Sequence, residues 1–168
     1  LLRSGRRRPP AAGRWVMPLL LIVVLALGLM AAQPAGAATI NVTTTADELN
    51  SDGDCSLREA VRAANTDATV DACPAGSGTD TIIVPAGDYV FNAALGTTGE
   101  DLAAYGDLDI RQDVTIIGAG RTKTTIDAGG VDRVFQIWLP ADVTISGVTI
   151  TGGDAHDDQG SGIHVNGG

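Results

Sequence analysis

Short stretches of alternating polar and apolar residues run along the second half of the chain and predict β-strands. In residues 113–118, Val114 and Ile116 flank Thr115. Residues 142–147 repeat nearly the same sequence 29 residues later. β-Branched residues at every second position are typical of strands that bury one face. A repeat period between about 20 and 50 residues is typical of solenoids, propellers and repeat arrays.

The length and spacing of these strands favour one of those architectures. The predicted strands are short, and Gly, Asn and Asp corners rather than helices separate them. Such strands stack on their equivalents one coil away, about 4.8 Å along the axis. We therefore predict an all-β fold, a parallel β-helix (solenoid) with an N-terminal capping α-helix. The residues predicted to point into its core are Val114, Ile116, Val143, Ile145, Val148 and Ile150, with Phe135, Ile137 and Leu139 on another face of that core.

Between residues 56 and 65 the periodicity changes from that of a strand to that of a helix. Ser56 and Glu59 have the spacing of a capping box, in which each side chain bonds the backbone N–H of the other. Apolar residues then recur at i, i+3, i+4 and i+7, which places them on one face. We predict a helix from Leu57 to about Asn65 that covers the open edge of the first coil. The apolar face is Leu57, Ala60, Val61 and Ala64, and the residues predicted to face outward are Arg58, Glu59 and Arg62.

The N-terminal region has the layout of an export signal. Five arginines and no acidic residue surround the start of an apolar run at 15–32, and small residues follow it. This order is typical of a secretory signal peptide, and the small residues at 35–37 fit its cleavage site. We predict a signal peptide at 1–37, because Pro18 and the small residues favour cleavage over retention of the run as a membrane anchor. Under either interpretation the rest of the chain is secreted or displayed at the cell surface.

Removal of this signal changes the charge balance. Five of the 11 basic residues and none of the 20 acidic residues precede residue 38, so the remainder carries a formal charge of −14. That charge argues against binding to nucleic acid or to anionic lipid, since phosphate contacts need clustered Lys and Arg. We expect contact with a membrane only through the signal or an anchor. The acidity favours a soluble extracellular protein.

The two cysteines, Cys55 and Cys73, both lie in the exported part. An even number of cysteines in an oxidising compartment predicts a disulfide. Its loop of about 18 residues corresponds to roughly 3 kcal/mol of stabilisation in the chain-entropy model. No His or Cys at metal-ligand spacing lies nearby, which argues against zinc.

One hexapeptide carries a resemblance to a known family. The sequence Cys-Ser-Leu-Arg-Glu-Ala at 55–60 is the motif that names the CSLREA domain, and 39–42 and 80–89 are similar to its surroundings. The resemblance covers about 38–95. It implies the N-terminal entry to a right-handed parallel β-helix, as in pectin-lyase-like proteins, and most members resemble large bacterial surface or secreted proteins without an established activity. The Gly-rich tail at 160–168 is similar to coils of bacterial β-helix surface proteins.

These expectations divide the chain into three parts. They are the signal peptide at 1–37, the CSLREA-type cap with the first strands at 38–95, and the first coils of the β-helix at 96–168, which we expect to be truncated.

The densest group of polar residues predicts, at most, a weak calcium site. Asp154, Asp157 and Asp158 supply carboxylates of the kind that Ca²⁺ prefers, and His156 is the accompanying candidate base. The segment is also flanked by glycine, where Asp is a common turn residue, and its spacing matches no calcium-loop pattern. We therefore favour a turn and expect no catalytic residue, no bound cofactor and no firm metal site. The single arginines at 111, 121 and 133 are expected to be solvated.

Trp138 is a candidate for stacking on a sugar ring. It points outward if Phe135, Ile137 and Leu139 point inward, and an exposed aromatic face suits carbohydrate contact. The competing interpretation is that a loop covers the ring.

Three functions remain open at this stage. We favour an exported, non-catalytic protein of adhesion, matrix or glycan contact, whose partner is an extracellular polysaccharide or surface glycan. The alternative is a polysaccharide lyase or glycoside hydrolase of pectin-lyase-like fold with its active site beyond residue 168; the Asp and Arg residues of such enzymes cannot be mapped onto this chain. A purely structural repeat protein is the third interpretation, and oligomeric state is left open.

Overall fold

Short parallel strands account for most of the regular structure. A computed structural model describes residues 36–97, 99–155 and 160–167. In that part of the chain there is one α-helix, α1 (Leu57–Thr66), and a 3₁₀ turn at Ala93–Leu95. The described strands are β1 (Thr39–Asn41), β2 (Asp80–Val84), β3 (Gly87–Val90), β4 (Leu108–Ile110), β5 (Val114–Gly118), β6 (Thr124–Asp127), β7 (Phe135–Trp138), β8 (Val143–Ser146), β9 (Thr149–Thr151) and β10 (Ile163–Asn166).

These strands form three small sheets, in which every pairing is parallel. The first sheet has the order β1-β2-β5-β8, the second β3-β6-β9 and the third β4-β7-β10. From β2 onward, successive strands belong to the first, second or third sheet in an order that repeats. Val114 pairs with Val143 and Ile116 with Ile145, which confirms the 29-residue repeat predicted between β5 and β8.

The core forms because equivalent apolar residues stack across the strands. In the first sheet Ile40 pairs with Ile82, Ile82 with Ile116, and Ile116 with Ile145. Parallel strands lie about 4.8 Å apart, so each isoleucine contacts the next along the row. Of the predicted inward residues, some are buried and others are partly buried and pack against the core. The buried ones are Val114, Ile116, Phe135 and Ile137, and the partly buried ones are Val143, Ile145, Val148 and Ile150.

Leu139 is an exception among the predicted core residues. Its exposed fraction is 58 %, so the prediction that it points inward is wrong. The strand β7 ends at Trp138, and the alternation that a strand imposes does not extend to the residue after it.

The helix begins and ends close to its predicted bounds. The Ser56 hydroxyl accepts the Glu59 N–H, the Glu59 carboxylate accepts the Ser56 N–H, and Asp67 ends the helix in the left-handed conformation. Arg58 and Glu59 are nevertheless buried, which contradicts their predicted outward orientation. The capping box draws Glu59 inward, and Arg58 pairs with buried polar atoms of neighbouring segments.

The predicted fold class is wrong. We expected an all-β, right-handed parallel β-helix to which a helix is added only as a cap. The described residues instead combine three small parallel sheets with a helix that belongs to the core, since seven of its ten residues are buried and it contacts β1, β2 and β4. The error arose because only one face of α1 was assigned to the interior, whereas Arg58 and Glu59 are buried too.

The signal-peptide prediction for 1–37 falls almost entirely on residues outside the described part of the chain. Among the residues that the structure does describe, no helix has the length and apolar character needed to cross a bilayer.

The predicted disulfide is confirmed. Cys55 and Cys73 are bonded and buried, with their Cα atoms 4.9 Å apart. Cys55 directly precedes the helix N-cap, and Cys73 pairs through its backbone with Val70. The bond therefore ties the start of α1 to the segment that follows the helix.

Replacement of both cysteines, Cys55→Ala with Cys73→Ala, should lower the free energy of unfolding by about 3 kcal/mol, because the unfolded chain regains the entropy of the open loop. Urea denaturation of the variant and the oxidised parent measures the difference. The reduced parent serves as the control and should resemble the variant. Equal stability of all three proteins would contradict a stabilising role for the bond.

Candidate functional site

The outer face of the third sheet carries a row of polar side chains. Asp109 on β4 pairs with Gln136 on β7, and Gln136 pairs with His164 on β10. Alternate residues of a strand point to opposite sides, so these three lie on the side opposite the buried Phe135 and Ile137. The row is the first feature of a candidate site.

Trp138 lies on the same outer face and has two polar partners. Its indole Nε1–H donates to the Asp109 carboxylate at 3.0 Å. The guanidinium carbon of Arg111 lies 4.6 Å from the ring centroid, which is the geometry of a cation–π contact. The ring is partly exposed. The outward orientation expected for Trp138 agrees with this position, and the guanidinium of Arg111 covers part of the ring.

A loop at 99–107 covers the outer face of β4. The Glu100 carboxylate organises it by accepting the N–H groups of Leu102, Ala104 and Tyr105. The Ala103 N–H donates to the Asp109 carboxylate at 3.1 Å. As a result Asp109 has no exposed surface, whereas Trp138 and His164 at the other end of the site stay partly exposed.

Three carboxyl groups and one guanidinium lie in this loop or next to it. Asp107, Asp109 and Asp132 are all buried. The Arg133 Nε lies 3.4 Å from a carboxylate oxygen of Asp107 and 3.5 Å from one of Asp132. The Arg133 side chain is only 12 % exposed, so the expectation that it is solvated is wrong.

Burial changes the acidity of two of these groups. Burial, together with the neighbouring charges of Asp109 and Asp132, raises the pKa of Asp107 to about 8, although Arg133 lowers it. Burial also raises the pKa of Asp109 to about 6, against the opposing effect of the hydrogen bonds from Trp138 and Ala103. At neutral pH Asp107 is therefore mostly protonated, and Asp109 is mostly ionised.

Of the weak calcium site predicted from the sequence, only Asp154 lies in the described residues. Asp154 donates its backbone N–H to the Asp132 carbonyl, as a turn residue does. Asp157 and Asp158, with the candidate base His156, lie outside the described residues. Among the single arginines, Arg111 and Arg121 are exposed as predicted, and Arg111 also stacks on Trp138 and donates to the Asp101 carbonyl.

Carboxylates gather instead around the start of the helix, a grouping that sequence reasoning missed. Glu48, Asp52 and Asp54 form one set, and Asp54, Glu59 and Asp71 another, each with oxygens within 4.8 Å of one another. Carboxylate oxygens suit Ca²⁺. Several of these oxygens already accept backbone N–H groups of the same segment, including those of Asn50 and Ser56 on Glu59. The visible role of this cluster is to hold the segment before α1 in place.

The acidic groups of the outer face were also missed by sequence reasoning. Asp107 and Asp109 alternate with the apolar Leu108 and Ile110, which places the two carboxyls together on the face away from the core. That alternation was the available signal. It could not show that 99–107 folds over both groups.

This arrangement favours contact over acid–base chemistry. A general acid has to lie within hydrogen-bond reach of its substrate, and loop 99–107 separates Asp109 from solvent. The groups that reach the surface on this face include the indole of Trp138, the guanidinium of Arg111, the imidazole of His164 and the amide of Asn166, which pairs with Trp138. They offer a partly open aromatic ring with polar groups around it.

Comparison with protein-family models, with curated proteins and with solved structures gives no significant match for this chain. Membership of the CSLREA family, based on the hexapeptide at 55–60, stays a prediction.

The raised pKa of Asp107 predicts a pH dependence of stability. The folded protein holds the Asp107 proton up to a pH near 8, whereas the unfolded chain releases it near the ordinary value of 3.8. Because the folded state binds more protons between these values, the free energy of unfolding should fall as the pH rises from 4 to 8. The raised pKa of Asp109 acts in the same direction, but only up to about pH 6.

Asp107→Asn should therefore flatten the decline of the melting temperature between pH 6 and pH 8. A decline of several degrees is expected in the parent, since about 1 kcal/mol shifts the melting temperature by roughly 4 °C in a domain of this size. Thermal melts followed by circular dichroism measure it. Asp109→Asn is the matched control and should keep a decline above pH 6. An unaltered slope in Asp107→Asn would refute the assignment.

Proposed function

We propose that this protein is exported and makes a non-catalytic contact with an extracellular glycan, through the outer face of the third sheet around Trp138. The observation that carries the proposal is the partly exposed indole of Trp138, held from two sides by Asp109 and Arg111. A fixed aromatic ring provides contact area at little cost in conformational entropy, and its faces suit the C–H groups of a sugar ring. Arg111 and His164 add polar groups beside it.

Two observations support export. The disulfide between Cys55 and Cys73 is of a kind that persists in oxidising compartments outside the cytoplasm. The basic, apolar and small-residue order of 1–37 is that of a secretory signal. A secreted or surface-displayed protein with adhesion or matrix contact is consistent with both, and with the CSLREA resemblance.

The charge of the exported part disfavours other partners. A formal charge of −14 after residue 37 repels nucleic acids and anionic lipids at long range. Glycan contact needs no such attraction, because stacking and hydrogen bonds with hydroxyl groups are short-range. We therefore favour a glycan over a polyanionic partner.

An enzyme that cleaves glycans is the second candidate. The raised pKa values of Asp107 and Asp109, close to Trp138, are those expected of a group that donates a proton at neutral pH. Their burial beneath loop 99–107 weighs against this candidate.

Trp138→Ala should weaken glycan binding by about tenfold, since the loss of an aromatic contact costs roughly 1 kcal/mol or more. The glycan is first identified on a glycan array, and the dissociation constants are then measured by titration calorimetry. Trp138→Phe retains a ring but lacks the N–H that the Asp109 carboxylate accepts, so it should bind more tightly than Trp138→Ala and more weakly than the parent. Leu139→Ala removes an exposed apolar neighbour and serves as the control for non-specific loss.

Two results would overturn the proposal. One is that no glycan binds, or that Trp138→Ala binds as well as the parent, which would favour a purely structural protein. The other is turnover of an array ligand in a lyase or hydrolase assay, which would establish the second candidate.

A further inference from the structure

Asp109 joins three separate parts of the molecule, two through its carboxylate and one through its backbone carbonyl. One carboxylate oxygen accepts the Ala103 N–H of loop 99–107 at 3.1 Å, and the other accepts the Trp138 indole N–H at 3.0 Å. Its backbone carbonyl accepts the Asn65 side-chain amide of α1 at 2.7 Å. Each oxygen of the buried carboxylate thus has a different structural element as its donor.

Arg111 connects the same loop to the same indole from the other direction. Its Nε donates to the Asp101 carbonyl at 2.6 Å, and its guanidinium lies over the Trp138 ring. Loop 99–107 is therefore attached to Trp138 twice, through Asp109 and through Arg111. We call these five residues, Asp101, Ala103, Asp109, Arg111 and Trp138, the clasp.

We propose that Asp109 is the positioning residue of the glycan contact. Protonation of its carboxylate loosens the clasp and so changes the position and surroundings of the Trp138 indole. This inference rests on the function proposed above and names the regulation of the same site. The protein would present its indole in one arrangement at neutral pH and in another in a mildly acidic medium.

The hydrogen-bonding chemistry of the carboxylate supports a two-state contact. An ionised carboxylate only accepts, and both Asp109 oxygens face N–H donors, so the ionised form matches its surroundings. A charged acceptor makes hydrogen bonds about twice as strong as a neutral one does. A proton added to either oxygen removes the negative charge of the acceptor and so weakens both bonds.

The charged groups around Asp109 set the pH at which this change occurs. Burial, together with Glu100 and Asp101 of the loop, raises the pKa of Asp109 to about 6, although the bonds from Trp138 and Ala103 lower it. Because Asp107 titrates near pH 8, it is already neutral when Asp109 gains its proton. The remaining charged or titratable groups on the elements packed around the clasp are Arg58, Glu59 and Arg62 on α1, Tyr105 in the loop, Arg111 after β4, Asp132 and Arg133 before β7, and His164 on β10.

Tryptophan fluorescence tests the clasp without any glycan. The chain contains two tryptophans, so Trp15→Phe in the full chain leaves Trp138 as the single emitter. Its emission should change with a midpoint near pH 6, and Asp109→Asn in the same background should abolish this transition. His164→Gln is the matched control, because His164 is a partly exposed side chain in the same polar row as Asp109, and it should keep the transition. Absence of the transition in the parent background, its persistence in Asp109→Asn or its loss in His164→Gln would each overturn the proposal.

A second measurement decides the matter if Asp109→Asn fails to fold. In ¹H–¹⁵N spectra of the Trp15→Phe protein, the Trp138 indole N–H and the Ala103 amide should titrate with one shared midpoint near pH 6. Different midpoints for the two groups, or a midpoint that follows the His164 ring, would contradict a common acceptor.

Glycan binding at two pH values separates this inference from the proposed function. Binding of the array ligand should be several-fold weaker at pH 5 than at pH 7.5 in the parent and nearly independent of pH in Asp109→Asn. Absence of glycan binding at both pH values, with the fluorescence transition intact, would refute the proposed function but leave the clasp in place. Equal binding of the parent at both pH values would refute the regulation alone.

Discussion

The candidate site depends on the interactions of one buried group, the guanidinium of Arg58. It pairs with Asp47 at 2.7 Å, donates to the carbonyls of Gly106 and Asp107, and lies 5.2 Å from the centroid of the Phe91 ring. A buried charge is costly unless it is paired and hydrogen-bonded, and here it is both. One side chain thus holds the helix, the segment before the helix and the end of loop 99–107 in one arrangement.

The candidate site follows from that arrangement. Because Arg58 fixes the carbonyls at the end of loop 99–107, the loop lies over β4 and removes the Asp109 carboxylate from solvent. Burial raises the pKa of that carboxylate. The carboxylate lies between the loop and the Trp138 indole, and it accepts a hydrogen bond from each. Pairing of β4 with β7 brings Trp138 to the same face. The helix and the third sheet therefore act together in shaping one surface.

Local features of this protein were predictable from its sequence because their causes are local. The capping box at Ser56 and Glu59 located the helix, and the repeat that relates Val114 to Val143 gave the pairing of β5 with β8. The disulfide followed from two cysteines in the part of the chain that we predicted to be exported. Each of these depends on residues that are close in sequence or that repeat at a constant interval.

Features that depend on distant partners were not predictable in this way. From the sequence alone Arg58 resembles a solvated charge, because its partners Asp47 and the carbonyl of residue 106 are distant in sequence. The helix was therefore predicted to be only a cap, and the predicted fold class was wrong. Asp109 looks like an ordinary polar strand residue until a loop covers it. Without the positions of such partners, neither burial nor a raised pKa can be read from the residue itself.

Amide hydrogen exchange of Arg58→Lys tests the central claim most directly. Lysine keeps the charge but lacks the planar fork that reaches Asp47 and both carbonyls at once. The account predicts faster exchange at residues 102–105, with β5 and β8 protected as in the parent. Arg62→Lys, which alters an exposed contact with the Leu102 carbonyl, should have little effect. Unchanged exchange of 102–105 in Arg58→Lys would contradict the dependence of the site on this guanidinium.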